Sequence, residues 1–256
     1  MTQSMIAAQL YTVREHCRTA TDLAASLKKI RAIGYESVQI SGIGPIDPKD
    51  VANILQDNQL ACCITHISLD DMRKNFDAVV EKHRLWDCKY TAIGGFFPKE
   101  AFTRQLWRGF IDEYNQLATS FAKAGLTIGY HNHSHELSHI DGTTPMQMLV
   151  DGLIGPAFIE IDTYWITHGG GDPIAWIGKC AGRLPCLHLK DMAITPERQQ
   201  QMAPIGEGNL NFPGILSAAT RAGTRWFIVE QDDSYGRDPF DCLASSYRYL
   251  RGLGLK

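Results

Sequence analysis

At 256 residues with 44% hydrophobic content, the chain can bury a full core as one large domain or two small ones. Its formal charge of −3 comes without a dense Lys/Arg run, so nucleic acid and anionic membranes are poor partners on electrostatic grounds. The cysteines (Cys17, Cys62, Cys63, Cys88, Cys180, Cys186 and Cys242) form no C-x-x-C and match neither a disulfide framework nor a zinc knuckle. The opening Met1-Thr2-Gln3-Ser4-Met5 lacks the basic and long apolar regions of a signal peptide, and no apolar run could span a bilayer. A reduced cytoplasmic compartment is the default expectation.

In chain order, Met5–Leu10 reads as a first buried strand with Gln9 near its end. A helix over Thr19–Ile33 follows, because Leu23, Leu27, Ile30 and Ile33 recur at helical spacing and Gly34 supplies the stop. Glu36–Ile40 is a second strand, on which Gln39 opposes Val38 and Ile40. Asp47-Pro48 opens a helix through Val51, Ile54 and Leu55, a cap residue followed by Pro at the first helical position. Leu60–Thr65 is a third strand ending at His66, and Asp70–Leu85 a third helix through Met72, Phe76, Val79 and Val80. Tyr90–Gly94 makes a fourth strand, and a long helix from about Thr103 to Ala124 ends at Gly125.

The second half repeats the rhythm. Leu126–His131 is strand five, and Thr144-Pro145 caps a short helix; Ala157–Asp162 is strand six, and Asp172-Pro173 opens a helix through Trp176 and Ile177. Leu184–Leu189 is strand seven, a helix from about Phe212 to Ala222 leads to strand eight at Trp226–Glu230, and Asp238-Pro239 opens the last helix. Eight strands alternating with eight helical segments is the α/β count of a (β/α)8 TIM barrel. No linker, low-complexity tract or composition shift interrupts it, so one barrel domain over residues 1–256 is expected. The alternative, a doubly wound open sheet, would carry a Gly-rich phosphate loop after strand one. Here that turn reads Gln9-Leu10-Tyr11-Thr12-Val13-Arg14, without glycine.

Four strand ends carry the chemistry: Gly129-Tyr130-His131-Asn132-His133, Phe158-Ile159-Glu160-Ile161-Asp162, Cys186-Leu187-His188-Leu189-Lys190 and Ile228-Val229-Glu230. Side chains alternate faces along a strand, so Glu160 pairs with Asp162, His188 with Lys190, and His131 with His133. Carboxylates, imidazoles and a lysine share one packed interior only where they neutralise each other or hold an ion. His66, Gln39 and Gln9 end other strands and would offer groups to sugar hydroxyls; Trp165 and Tyr11 would form an apolar wall.

At this point the chain resembles the sugar phosphate isomerase/epimerase family of xylose-isomerase-like barrels. That family includes hydroxypyruvate isomerase, inosose dehydratase, ketose 3-epimerases and endonuclease IV. The likeness covers nearly the whole chain and is strongest at Glu160-Ile161-Asp162-Thr163-Tyr164-Trp165, His188-Leu189-Lys190-Asp191, Gly206-Glu207-Gly208 and Val229-Glu230. It implies one divalent ion, often Mn, Mg, Co or Zn, held by a Glu on strand five, an Asp on six, a His on seven and a Glu on eight. Asp162, His188 and Glu230 match the last three. On strand five the family often reads Glu-Asn-His, whereas this chain has the Tyr-His-Asn-His run of a subgroup, and His131 stands in the place of the Glu. The site then holds one negative charge fewer, and a group that passes protons in the ketose epimerases is replaced.

Two carboxylates with one or two imidazoles suit a divalent ion of intermediate hardness, Mn, Zn, Co or Fe, rather than Ca. The expected ligands are His131, Asp162, His188 and Glu230, with His133 the alternative to His131; without an ion, the same groups would form a buried polar network. Glu230, Glu160 and Lys190 are expected to move the proton and stabilise an enediolate, Glu160 serving equally well as a structural partner of Lys190. His66, Gln39, His133, Trp165 and Glu136 are expected around the substrate, Glu136 also reading as an outer partner of a histidine.

The expected activity is isomerisation or epimerisation of a sugar, keto-sugar or polyol by α-proton abstraction. The alternatives are a lyase or dehydratase on the same scaffold, acting on an inosose or oxidised glycoside, and a non-catalytic sugar-binding barrel. An abasic-site endonuclease would need a three-zinc cluster and a basic surface, which this chain does not show. Pairing into a homo-oligomer is compatible with the resemblance.

Overall fold

The computed structural model describes residues 5–255; residues 1–4 and 256, with most of the amino-terminal stretch read for a leader, lie outside it. Among the described residues, eight parallel strands close into a barrel: Met5–Gln9, Ser37–Ile40, Ala61–His66, Tyr90–Ile93, Thr127–His131, Phe158–Asp162, Cys186–Leu189 and Trp226–Val229. The last strand pairs with the first, Ala8 opposite Val229, so the sheet has no edge. The open-sheet alternative is thereby set aside.

Helices begin where the sequence places its caps. Asp47, Thr144, Asp172 and Asp238 each precede a proline and accept a backbone N–H, from Lys49, Gln147, Ile174 and Phe240. Each such cap satisfies a donor that the helix itself leaves open, a contribution of about 1 kcal/mol. Thr19 and Asp22 cap each other at the start of Ala20–Ile33. The apolar stripes of these helices, including Leu23, Leu27, Ile30, Trp107, Phe110 and Phe121, pack in one layer with outward strand residues such as Val38, Ile128 and Leu187. No helix among the described residues is long and apolar enough to cross a membrane.

Inside the barrel, chemistry changes with height. Ala7, Phe158, Cys186 and Ile228 belong to a separate apolar cluster that fills the barrel's interior. Two positions further along each strand, on the same face, stand Gln9, Glu160, His188 and Glu230. A single step of the strand period therefore turns an apolar plug into a polar floor. On strand five the residue at the height of the plug is Gly129; a side chain there would run into the Phe158 ring. His131 follows it by the same step.

Three stretches depart from the periodicity reading. The third helix is two, Leu69–Lys74 and Phe76–Leu85, interrupted at Asn75. Met72 and Val79 still face the core on either side, which is why the apolar spacing runs unbroken through the interruption. Thr163–His168 forms a short helix directly on the end of strand six. After strand seven, an antiparallel pair, Asp191–Ile194 with Gln200–Ala203, occupies what reads as a loop. The Asp191 carboxylate fastens that insertion by accepting the backbone N–H groups of Met192, Gly206, Gly208 and Leu210. A Cβ at Gly208 would collide with it, so the Gly-Glu-Gly run serves backbone geometry. Glu207 faces outward, 2.6 Å from Arg237. All the cysteines are buried free thiols.

Candidate active site

The strand ends converge on a cavity of about 600 Å³. His66, His131, Lys190, Glu230 and Asp232 form its polar side, while Tyr11, Phe97 and Trp165 form an aromatic wall. Such a cavity is mid-range for a small-molecule site.

Asp162 shows how the backbone aims a donor atom. Its Oδ1 accepts the Trp165 N–H at 2.9 Å, capping the short helix, and its own N–H donates to Asn132 Oδ1 at 3.0 Å. The other oxygen, Oδ2, is buried with no hydrogen bond. It lies 3.9 Å from His131 Nε2, 3.8 Å from His188 Nδ1 and 3.3 Å from Lys190 Nζ. The lysine contact is an ion pair without hydrogen-bond geometry. Glu230 Oε2 is 2.8 Å from His188 Nδ1 and 2.9 Å from Lys190 Nζ.

These distances suit a divalent ion. Donor atoms sit about 2.0–2.2 Å from such an ion, and so roughly 3–4 Å from one another. One atom each from His131, Asp162, His188 and Glu230 lies within 4.8 Å of the other three, all four residues being buried. A second set, His66, His131, Glu160 and His188, meets the same limit. In that set, however, the carboxylate is already satisfied: Glu160 lies 2.6 Å from His66 Nε2, 3.2 Å from His188 Nε2 and 3.3 Å from Gln39 Nε2. The bare oxygen on Asp162 makes the first set the better fit.

The electrostatics divide the imidazoles. Burial opposes charge on His188, but the carboxylates of Glu160 and Glu230 outweigh it and push the group up to about 10. Burial, with the neighbouring His188 and His66, holds His131 well below its ordinary value, so its imidazole is neutral and keeps a lone pair that could meet a cation. Burial likewise takes His133 down to about 3. Against burial, the charges of His188 and His66 bring Glu160 down to about 2. Lys190 and His188 hold Glu230 below the carboxylate range, also against burial. Burial and the nearby Glu230 raise Asp232 to about 6.

A model of the xylose isomerase-like TIM barrel family matches residues 27–252. The chain belongs to that family. An inosose dehydratase of Geobacillus thermodenitrificans (strain NG80-2) is 27% identical over 174 residues, 61% of this chain and 57% of that protein. One from Erwinia tasmaniensis is 24% identical over 172 residues, 60% and 57% of the two chains. The match thus spans a little over half the length of these curated relatives. Among solved structures, a sugar phosphate isomerase/epimerase from Parabacteroides distasonis superposes with a TM-score of 0.80 at 23% identity, over 98% of this chain and 94% of that one. An L-ribulose 3-epimerase does so with a TM-score of 0.77 at 17% identity, over 99% and 95%. Both are likenesses of fold.

Within this xylose isomerase-like barrel, the structure brings together most of the residues expected from the sequence. His131, Asp162, His188, Glu230, Lys190, Glu160 and His66 meet at the floor. Between the two strand-five imidazoles, His131 stands in the cluster and His133 lies higher on the wall, 5.2 Å from the Trp165 ring.

Four expectations are corrected. Glu160 partners His66, His188 and Gln39, while the carboxylates around Lys190 are Asp162, Glu230 and Asp232. Gln39 lies beneath the cavity, its Oε1 accepting from His188 Nε2 at 2.6 Å. Gln9 is buried, accepting the Tyr11 N–H. Glu136 does not line the cavity: it is fully buried and accepts from Tyr130 Oη at 2.6 Å and the His133 N–H at 2.8 Å. Its carboxylate lies 3.3 Å from the His135 ring, so the outer histidine partner it makes is His135.

Sequence reasoning missed Asp232 and Phe97. Asp232 stands two residues beyond Glu230, and alternation carried past the strand end would have placed it on the same face. Phe97 follows Gly94-Gly95 in a loop with no periodicity to read.

Proposed function

We propose that this chain is a divalent-metal-dependent enzyme that removes a proton from the carbon beside a carbonyl in a sugar, keto-sugar or polyol, and acts as an isomerase or epimerase. The observation that carries this reading is the bare, buried Asp162 Oδ2, grouped with His131, His188 and Glu230 at the floor of the cavity. Those four residues would hold the ion. When bound, it supplies Lewis acidity that polarises the substrate carbonyl and acidifies the adjoining C–H.

The remaining roles belong to the chain. Glu230 reaches the cavity and takes the proton. A carboxylate held so firmly by Lys190 and His188 is a weak base, and it strengthens as Lys190 turns its N–H groups towards the substrate oxygen. Lys190 donates to the oxyanion that forms as the proton leaves. Glu160, sealed within the floor, orients His66 and His188 through its two oxygens, and His66 offers its outward edge to a hydroxyl. Trp165, Phe97 and Tyr11 present flat apolar faces suited to the C–H side of a sugar ring.

Dehydration is the second reading, favoured by the similarity to proteins named inosose dehydratase. Incubating the metal-loaded protein with keto-inositols and keto-sugars, and weighing the products, separates the two. Isomerisation and epimerisation conserve mass; a dehydratase product is lighter by one water. No turnover of any such compound would leave neither reading standing.

Two expectations follow from the ligand set. His131→Ala should weaken affinity for Mn²⁺ by about 10–100-fold or more, the range lost even when an outer partner of a ligand is removed. His133→Ala should leave that affinity unchanged; calorimetric titration showing the reverse would exchange the two roles.

The second concerns protons. In the ion-free protein His188 is doubly protonated at pH 7, since its value is pushed up to about 10. Its Nδ1 faces Asp162 and Glu230, so loading the site should release about one proton at pH 7, fading above pH 10. Titration in buffers of different ionisation enthalpy measures this, and a release of zero at pH 7 would count against His188 as a ligand. The same shift has a stability consequence: a raised folded value contributes stability that is whole below about pH 6.5 and disappears as pH rises through about 10. Ion-free protein should therefore lose stability across that window.

A further inference from the structure

Lys190 Nζ is ringed by carboxylate oxygens: both oxygens of Asp232 at 2.9 Å, Glu230 Oε2 at 2.9 Å and Asp162 Oδ2 at 3.3 Å. Glu230 and Asp162 belong to the set that would hold the ion; Asp232 does not. An ammonium this close to two ligand oxygens competes with a divalent cation for the same negative charge. Buried charges demand a balanced partner count. Around Lys190, the carboxylates of Asp162, Glu230 and Asp232 match the charge of one dication plus one ammonium, while Glu160 stands against His66 and His188 instead. Without Asp232, the same two cations would share only Asp162 and Glu230.

Asp232 is built as a fixed seat. Its backbone N–H donates to Met202 Sδ at 3.2 Å, and its carbonyl accepts from Arg14 Nη1 at 3.0 Å. The carboxylate lies on the cavity side, a quarter exposed, whereas Asp162 is sealed in. Lys190 is anchored at its backbone, whose N–H donates to Thr163 Oγ1 at 2.9 Å, so only its four-carbon stem has to turn.

We propose that Asp232 is a positioning residue: it draws the Lys190 ammonium off Asp162 and Glu230 and towards the cavity, releasing those oxygens to a divalent ion and presenting the ammonium to substrate. Two hydrogen bonds to one carboxylate keep the ammonium seated when its other contacts are given up. This inference rests on the metal reading above, and its test separates the two.

Mn²⁺ affinity, read from the paramagnetic resonance signal of the free ion, is measured for the full chain and for Asp232→Asn, Lys190→Met and the double variant. Asp232→Asn should weaken Mn²⁺ binding about tenfold, within the range that coupled neighbouring groups give. With Lys190→Met already present, the same change should cost less than about threefold, because no ammonium is left to fall back onto the ligands. Equal losses in both backgrounds would make Asp232 a distant charge only and overturn the proposal, as would an Asp232→Asn variant that binds normally. Should methionine at this buried position unfold the barrel, Lys190→Gln completes the same cycle. An unaltered protein that binds no Mn²⁺, beside a Lys190→Met variant that does, would keep the ligand set and overturn the role of Asp232. Failure of both to bind would remove the metal reading and this inference with it.

Discussion

Asp162→Asn should leave the protein folded and unable to hold the proposed divalent ion. The asparagine retains Oδ1, which caps Thr163–His168 through the Trp165 N–H, and replaces the one oxygen that has no hydrogen bond. Affinity for the ion should fall by at least about 100-fold, the upper end of what an outer partner alone contributes. Asp162→Ala should lose the ion equally and in addition about 1 kcal/mol of stability with the cap. Metal content after dialysis and a denaturant melt read the two effects apart. His188→Ala should be the more damaging change, because Glu160 and Glu230 then remain buried without the imidazolium between them. Breaking such a buried pair costs about 3–5 kcal/mol. An Asp162→Asn protein that keeps stoichiometric metal would remove Asp162 from the ligand set.

Glu230→Gln should lose about 10²–10⁴ in turnover, the usual cost of removing a general base, even when excess ion refills the site. Glutamine keeps the shape and can still accept from Lys190, so the loss at saturating ion isolates the proton transfer. Turnover that recovers fully once ion is added would reduce Glu230 to a ligand.

Much of this site was legible in the sequence because strands impose a period of two. From Phe158, Cys186 and Ile228 in the plug, the same face recurs at Glu160, His188 and Glu230, and again at Asp162 and Lys190. The proline-marked caps fixed the helix starts equally well. Periodicity gave no warning at Asn75, because the apolar stripe continues across the interruption. It also could not assign partners: Glu160 and Lys190 share the inward face, yet each finds closer opposite charges on other strands. Glu136 was misplaced for a different reason. It lies in a short turn, His135–Leu137, where neither alternation nor helical spacing says whether a carboxylate points to the cavity or beneath it. Phe97 sits in a loop positioned by the barrel rather than by its own neighbours, and Asp232 lies where the period of two outruns the strand itself.

Proton NMR in deuterated water tests the proposed α-proton abstraction most directly. Keto-inositols and keto-sugars are offered to the Mn²⁺-loaded protein, with chelator-treated protein and Glu230→Gln as controls. Deuterium should enter at a carbon beside the carbonyl in step with turnover, cease with chelator, and slow in Glu230→Gln by about 10²–10⁴. Turnover of a substrate with no solvent deuterium at any such carbon would contradict α-proton exchange with Glu230 and point to hydride shift or hydrolysis in its place.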